Sequence, residues 1–152
     1  MLLGIFIDDV IHYALLSDGM RIQATGFIED PFSIGLVPYF KQVKSAALIS
    51  RRRTGDNQKK IVSIHAKENL VVMRLAQLGI EPLQVLNYGD VIDHFKLRAE
   101  QRNVTRNKVK GFIMKWGEYG TTNHNKCPIP KGQVDACLAA LFISNLHLGV
   151  VS

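Results

Sequence analysis

Residues 2–9, Leu-Leu-Gly-Ile-Phe-Ile-Asp-Asp, constrain the fold more than any other stretch of the chain. The run has no polar face, so it cannot lie half-wetted on a surface. It predicts a central strand over 2–8, covered on both sides and stopped by Asp8 and Asp9. Such a strand needs neighbours on both edges and a layer over each face, which the rest of the chain must supply.

The neighbours follow in order. Residues 11–17 read as a second strand, Ser17-Asp18-Gly19 as a turn, and 20–28 as a half-buried third strand in which Met20, Ile22 and Ala24 alternate with polar residues. Tight turns between them make an antiparallel meander, broken at Glu29-Asp30-Pro31. Residues 32–44 predict a loop with at most a short helix around Pro38 to Val43. Residues 45–50, Ser-Ala-Ala-Leu-Ile-Ser, are a fourth buried strand, followed by a basic loop through Lys60.

From Lys60 to Leu78 the apolar period becomes helical, through Ile61, Ile64, Val71, Val72 and Leu75, with Glu68 interrupting the stripe and Gly79 as the stop. Pro82 to Tyr88 is a short strand, and Val91, Ile92 and Phe95 suggest a helical turn. Thr105 is placed to cap a helix carrying Val109, Phe112, Ile113 and Trp116. Residues 117–133 are rich in turn formers, and Val134, Leu138, Leu141, Phe142 and Leu146 pattern a last helix.

A length of 152 residues suffices for one domain with a real core, and 47% apolar against 21% charged residues excludes a disordered chain. The net charge of +6 favours a polyanionic partner, nucleic acid ahead of an anionic membrane surface. The two cysteines, Cys127 and Cys137, form no CxxC, and the five histidines are scattered, which argues against a zinc site. Together with the absence of a basic segment before the first apolar run, this predicts an intracellular protein, of the cytoplasm or a DNA-containing organelle, rather than a secreted one. No apolar run is long enough for a membrane span. No strand is followed by a glycine-rich phosphate loop, which removes support for a nucleotide-binding domain.

Four stretches, in this order, resemble the RuvC-type Holliday junction resolvases. Leu2-Leu3-Gly4-Ile5 with Tyr13-Ala14-Leu15-Leu16 resembles the first hairpin, and Ala47 to Arg53 the fourth strand and its basic segment. Val104 to Lys115 resembles the lysine-rich helix, and Gln133 to Ala140 the start of the final helix. The resemblance implies an α/β protein of RNase H-like fold spanning 1–152 as a single domain. Its sheet would be mixed and five-stranded, three strands antiparallel and then parallel, flanked by helices.

The resemblance also implies four carboxylates holding two divalent ions, one to activate water and one to stabilise the leaving oxygen. Their places here are Phe6, Ser50, Gly132 and Asp135, so only Asp135 matches. Asp8, two residues beyond Phe6 and on the same face by alternation, is the substitute for the first. The candidate catalytic residues are therefore Asp8, Asp135 and Lys108, with Asp8 and Asp135 as metal ligands and Lys108 or Lys110 as a fixed positive charge standing in for one ion. Mg²⁺ is expected if the chain is catalytic, and no cofactor otherwise.

Twelve of the nineteen basic residues lie in two segments, 50–60 and 96–115. From these, Arg51, Arg52, Arg53, Lys59, Lys60, Arg102, Arg106, Lys108 and Lys110 are expected to neutralise phosphates without reading sequence. The acid count favours a nucleic-acid-binding or scaffold subunit of a nucleoprotein assembly over an active Mg²⁺-dependent endonuclease cleaving branched DNA. Branched DNA is the favoured partner, with RNA as the alternative, and the chain would act as a homodimer or within a larger complex.

Overall fold

The computed structural model describes residues 1–17, 21–50, 57–81, 83–116 and 129–147. Five strands, β1 (Leu2–Ile7), β2 (Ile11–Leu16), β3 (Ile22–Ile28), β4 (Ser45–Ser50) and β5 (Leu83–Asn87), form one sheet in the order β3-β2-β1-β4-β5. The meander β1-β2-β3 is antiparallel, while β4 and β5 run parallel to β1. This is the RNase H-like mixed sheet, and β1 is its central strand. Leu3, Ile5, Phe6 and Ile7 are all buried, as a run with no polar face requires.

Strand alternation divides the core in two. Leu3, Ile5, Ile7, Ala46 and Leu48 face α1 (Gln58–Gln77), which covers the sheet with Val71 and Leu75. Phe6, Ala14, Ala47 and Ile49 face the opposite side. There they meet α4 (Lys131–His147), with α2 (Tyr88–His94) and α3 (Arg102–Trp116) contributing Val91, Ile92, Val109 and Ile113. A cluster of the His94, Phe95, Phe112 and Phe142 rings joins α2, α3 and α4 on that side.

Helix α4 is buried from Gln133 to Leu141, which explains why its pattern is apolar all round rather than striped. It is rich in small residues, and it lies directly on Gly4 of β1. A Cβ at Gly4 would run into the Ala136 carbonyl oxygen and, at 2.8 Å, the Ala140 nitrogen. Helix α1 ends as expected: Gly79 takes φ +80°, its N–H donates to the Ala76 carbonyl, and Ile80 N–H donates to Leu75, a Schellman stop with Ile80 folded onto the core.

Several boundaries differ from the sequence expectation. β1 stops at Ile7, because Asp8 N–H donates to the Val10 carbonyl and the chain turns there. The 32–44 stretch holds two short 3-10 helices, Phe40–Gln42 within the expected region and Pro31–Leu36 before it. The latter starts because Asp30 Oδ1 accepts the Phe32 N–H and Pro31 needs no donor partner there. Residues 88–94 form a full helix, with the Asn87 side chain accepting the Gly89 N–H, rather than a single turn. Thr105 does not cap α3. It lies inside the helix and reaches back, its hydroxyl accepting the Ala99 N–H at 2.9 Å. Helix α4 begins at Lys131, ahead of the apolar pattern, since the Gln133 and Val134 N–H groups already donate to Pro130. Of the loop expected over 117–133, residues 131–133 belong to α4, while residues 117–128, the tip of the turn after Ser17, and Arg51, Arg52 and Arg53 lie outside the described residues.

Candidate functional site

The carboxyl ends of β1, β4 and β5 lie together at one edge of the sheet, because the three strands are parallel. Crevices beyond the carboxyl ends of parallel strands are where open α/β sheets bind ligands. At this edge the chain places Phe6, Asp8 and His12 from the first hairpin, Tyr88 from the end of β5, and Gly132 and Asp135 from α4.

His12 organises the first half of the site. It pairs with Phe6 across β1 and β2, so both side chains stand on the α4 face, and their rings lie nearly parallel, 14° apart in plane with centroids 6.0 Å apart. His12 Nε2 donates to Asp8 Oδ1 at 2.9 Å, and the same oxygen accepts the Val10 N–H at 3.1 Å. The His12 side chain is 13% exposed and that of Asp8 is 23%. Above the ring lies Gly132: a Cβ there would land on His12 Nε2 and Cε1. One imidazole therefore lies against two of the four places at which the resemblance implies carboxylates, Phe6 and Gly132.

The strand register also corrects the third place. Phe6 pairs with Ile49, which shares its face and is fully buried, whereas Ser50 falls on the opposite, α1 side. Neither residue is an acid. On that α1 side the Lys67 ammonium donates to the Asp9 carbonyl at 2.7 Å, anchoring the turn after β1 to the helix whose first residues include Lys59 and Lys60. Glu68, the interruption in the α1 stripe, is buried, with His65 Nδ1 2.8 Å from its Oε1.

Asp135 organises the second half. It is 6% exposed and sits a full turn into α4. It borders a cavity of about 230 Å³ shared with Tyr88, Arg106, Asn107, Lys110 and Ile129. Arg106 and Lys110 are one helical turn apart and so face this cavity together. Lys108 is rotated away from it and borders a separate, shallower groove with Arg98, Gln101 and Val104. The basic residue beside Asp135 is thus Lys110, together with Arg106, and Lys108 stands apart. Arg102, Lys108 and Lys110 are exposed, and Arg106 is half-buried.

A two-ion centre of oxygen ligands needs several acids converging within coordination distance. Among the described residues no group of three or more His, Cys, Asp or Glu side chains comes together. Asp8 is engaged by His12 and Val10, and Asp135 faces two cations. These residues do not fit a two-metal centre.

Cys137, two residues beyond Asp135, is fully buried, and burial, with the Asp135 charge adding to it, pushes its thiol well above the ordinary range. The native chain is therefore expected to expose at most one of its two cysteines to iodoacetamide, and both in urea. The raised value also sets a pH sense. Below the ordinary thiol range the native and unfolded thiols are both protonated and nothing changes. As pH rises through that range the unfolded thiol ionises while the native one does not, so stability falls. Cys137→Ala removes that alkaline loss, measurable as a flatter dependence of the urea midpoint on pH.

The sheet order, the crossovers and the placement of α4 define the RuvC-type version of the RNase H-like fold. The chain has this fold in common with Thermus thermophilus RuvC in complex with a Holliday junction substrate (TM-score 0.71, 11% identity, covering 99% of this chain and 97% of that one). It also matches Thermus thermophilus RuvC in a further structure (TM-score 0.67, 11% identity, 99% and 98% covered). The yeast mitochondrial Holliday junction resolvase Ydc2 matches at a TM-score of 0.53 and 13% identity, over 94% of this chain and 75% of that one. No protein-family model matches the sequence, and no curated protein does. The chain thus shares the RuvC-like fold. Among the described residues no helix is long and apolar enough to cross a membrane.

His12 was not singled out by sequence. The available signal was the Asp8–His12 spacing across a tight turn, which places the two side chains near each other only once β1 and β2 are known to be a hairpin.

Proposed function

We propose that this chain is a RuvC-like nucleic-acid-binding protein whose metal centre has degenerated, acting as a binding or scaffold subunit of a nucleoprotein assembly. The observation that carries the reading is the pairing of Arg106 and Lys110 at the carboxyl edge of the sheet with an acid set that does not converge. Such a surface neutralises phosphates but has no means of activating water through two ions. The exposed Arg102, Lys108, Lys59 and the half-buried Lys60 extend the basic surface, and Arg51, Arg52 and Arg53 belong to the same proposal. Branched DNA is the first partner to test, because the most similar of the structures above is a complex with a Holliday junction. RNA is the second.

The test is fluorescence anisotropy of a labelled four-way junction, a matched duplex and a structured RNA, each titrated at several salt concentrations. Junction binding in EDTA that weakens linearly on a log–log salt plot is expected, with Mg²⁺ acting only as a further competing counterion. Arg106→Ala with Lys110→Ala should reduce the magnitude of the slope by about two, one for each lost phosphate contact. Binding that ignores salt, or is absent, removes the proposal.

The competing proposal, a Mg²⁺-dependent endonuclease cleaving branched DNA, draws on Asp135, buried where the resemblance implies an acid, with Asp8 and Lys110 or Lys108 beside it. Cleavage of the junction in Mg²⁺ or Mn²⁺, abolished by Asp135→Asn or Asp8→Asn, would establish it in place of the first.

A further inference from the structure

We infer that His12 closes this centre to divalent cations, occupying with its ring the space between the carboxyl end of β1 and the first turn of α4. The inference deepens the proposed binding role and rests on it only for its biological sense, since the geometry stands by itself. An ion bridging β1 and α4 needs room under Gly132 and oxygen atoms turned into it. Both are taken up. The ring stacks on Phe6 from one side, and Gly132 closes over it from the other, so near that a Cβ would overlap the ring. Asp8 turns Oδ1 to the ring's Nε2–H and to the Val10 N–H. The link Asp8–His12 thus fixes the ring over the end of the first hairpin, where Gly132 of α4 packs on it.

Gly132 follows from the same packing. The helix start can approach the ring only because residue 132 has no side chain, so glycine and histidine make one device in two distant parts of the sequence. Phe6 completes it by offering a flat apolar face where an acid would repel the ring's π surface and demand solvation.

Electron paramagnetic resonance of Mn²⁺ reads this directly, since bound Mn²⁺ loses the sharp signal of the free ion. The wild-type chain should leave the Mn²⁺ signal unchanged at millimolar protein, and its melting temperature should be the same in Mg²⁺, Mn²⁺ and EDTA. Gly132→Asp with His12 retained crowds the new side chain against the ring and should take up less Mn²⁺ than the variant without the ring. His12→Ala/Gly132→Asp empties the space, removes the ring's hold on Asp8 Oδ1, and adds a carboxylate one turn before Asp135, so saturable Mn²⁺ uptake should appear. Far-UV circular dichroism checks that each variant is folded. Saturable uptake by the wild type, equal uptake by Gly132→Asp with and without His12, or no uptake by the folded double variant would each overturn the inference. If the double variant does not fold, His12→Ala alone replaces it, and its failure to bind Mn²⁺ more tightly than wild type is the overturning result. Junction binding in EDTA, measured on the same wild-type sample, separates the two proposals: its loss removes the nucleic-acid role alone, and Mn²⁺ uptake with binding intact removes the closure alone.

Discussion

Gly4→Ala is expected to destabilise the protein by about 3 kcal/mol or more, although it adds a single methyl group and improves the strand propensity of the residue. Gly4 lies in the middle of the central strand, and α4 rests on it backbone to backbone. The added Cβ meets the Ala136 carbonyl oxygen and the Ala140 nitrogen, neither of which can turn aside as a side-chain tip could. Either α4 lifts, opening the core lined by Phe6, Ala47, Ile49 and Leu138, or β1 bends and strains its ladders with β2 and β4. Overpacking of this kind ordinarily costs about 1–3 kcal/mol, and a backbone obstacle on the central strand belongs at or beyond the top of that range. A total stability of about 5–15 kcal/mol leaves little margin for such a loss. Urea unfolding followed by circular dichroism measures it. Ala136→Gly should not rescue the variant, because the obstacle is the helix backbone; a rescue would show that the Ala136 methyl was the contact.

Gly132→Ala is expected to be destabilising at a position where alanine is intrinsically the better helix former. The propensity gain is at most about 1 kcal/mol. Against it stands the His12 ring, held in place by Asp8 and Phe6, which the new methyl would overlap. Displacing the ring breaks its bond to Asp8 and leaves a half-buried carboxylate without that donor, a loss of about 1–3 kcal/mol. The clash should win, giving a net cost of about 1 kcal/mol by these opposing magnitudes. With His12→Ala already in place the same substitution should become neutral or stabilising. The double-mutant cycle would then return a coupling of about 2 kcal/mol, within the range found for residues in contact. Additive effects would mean that His12 and Gly132 do not share this space.

The order of elements was legible because it rests on local patterns. An apolar run such as Leu2–Ile7 has one way to satisfy its backbone and hide its side chains, in the middle of a sheet, and β1 is there. The change from period two to period 3.6 at Lys60 marked the change from hairpin to crossover connection, and Gly79 marked where α1 stops. The 3-10 helix at Pro31–Leu36 was hidden because its cap and its proline also read as a strand break. Thr105 was misplaced because a hydroxyl near a helix start can cap the helix or reach back across the preceding turn, and propensity cannot distinguish the two.

The candidate site was legible only in part. The sequence by itself determined the mixed sheet, the central strand, the basic surplus and the want of carboxylates at Phe6 and Gly132, all properties of residues taken in chain order. Tertiary structure alone decided that Lys110 and Arg106, rather than Lys108, border the cavity beside Asp135, because helix rotation against α4 sets which face turns inward. It alone decided that Ile49, rather than Ser50, stands beside Phe6, because register is fixed by pairing between strands far apart in sequence. It also brought His12 beneath Gly132, 120 residues further along the chain. Contacts of that range depend on how closely α4 settles on Gly4, a packing distance that no local pattern records.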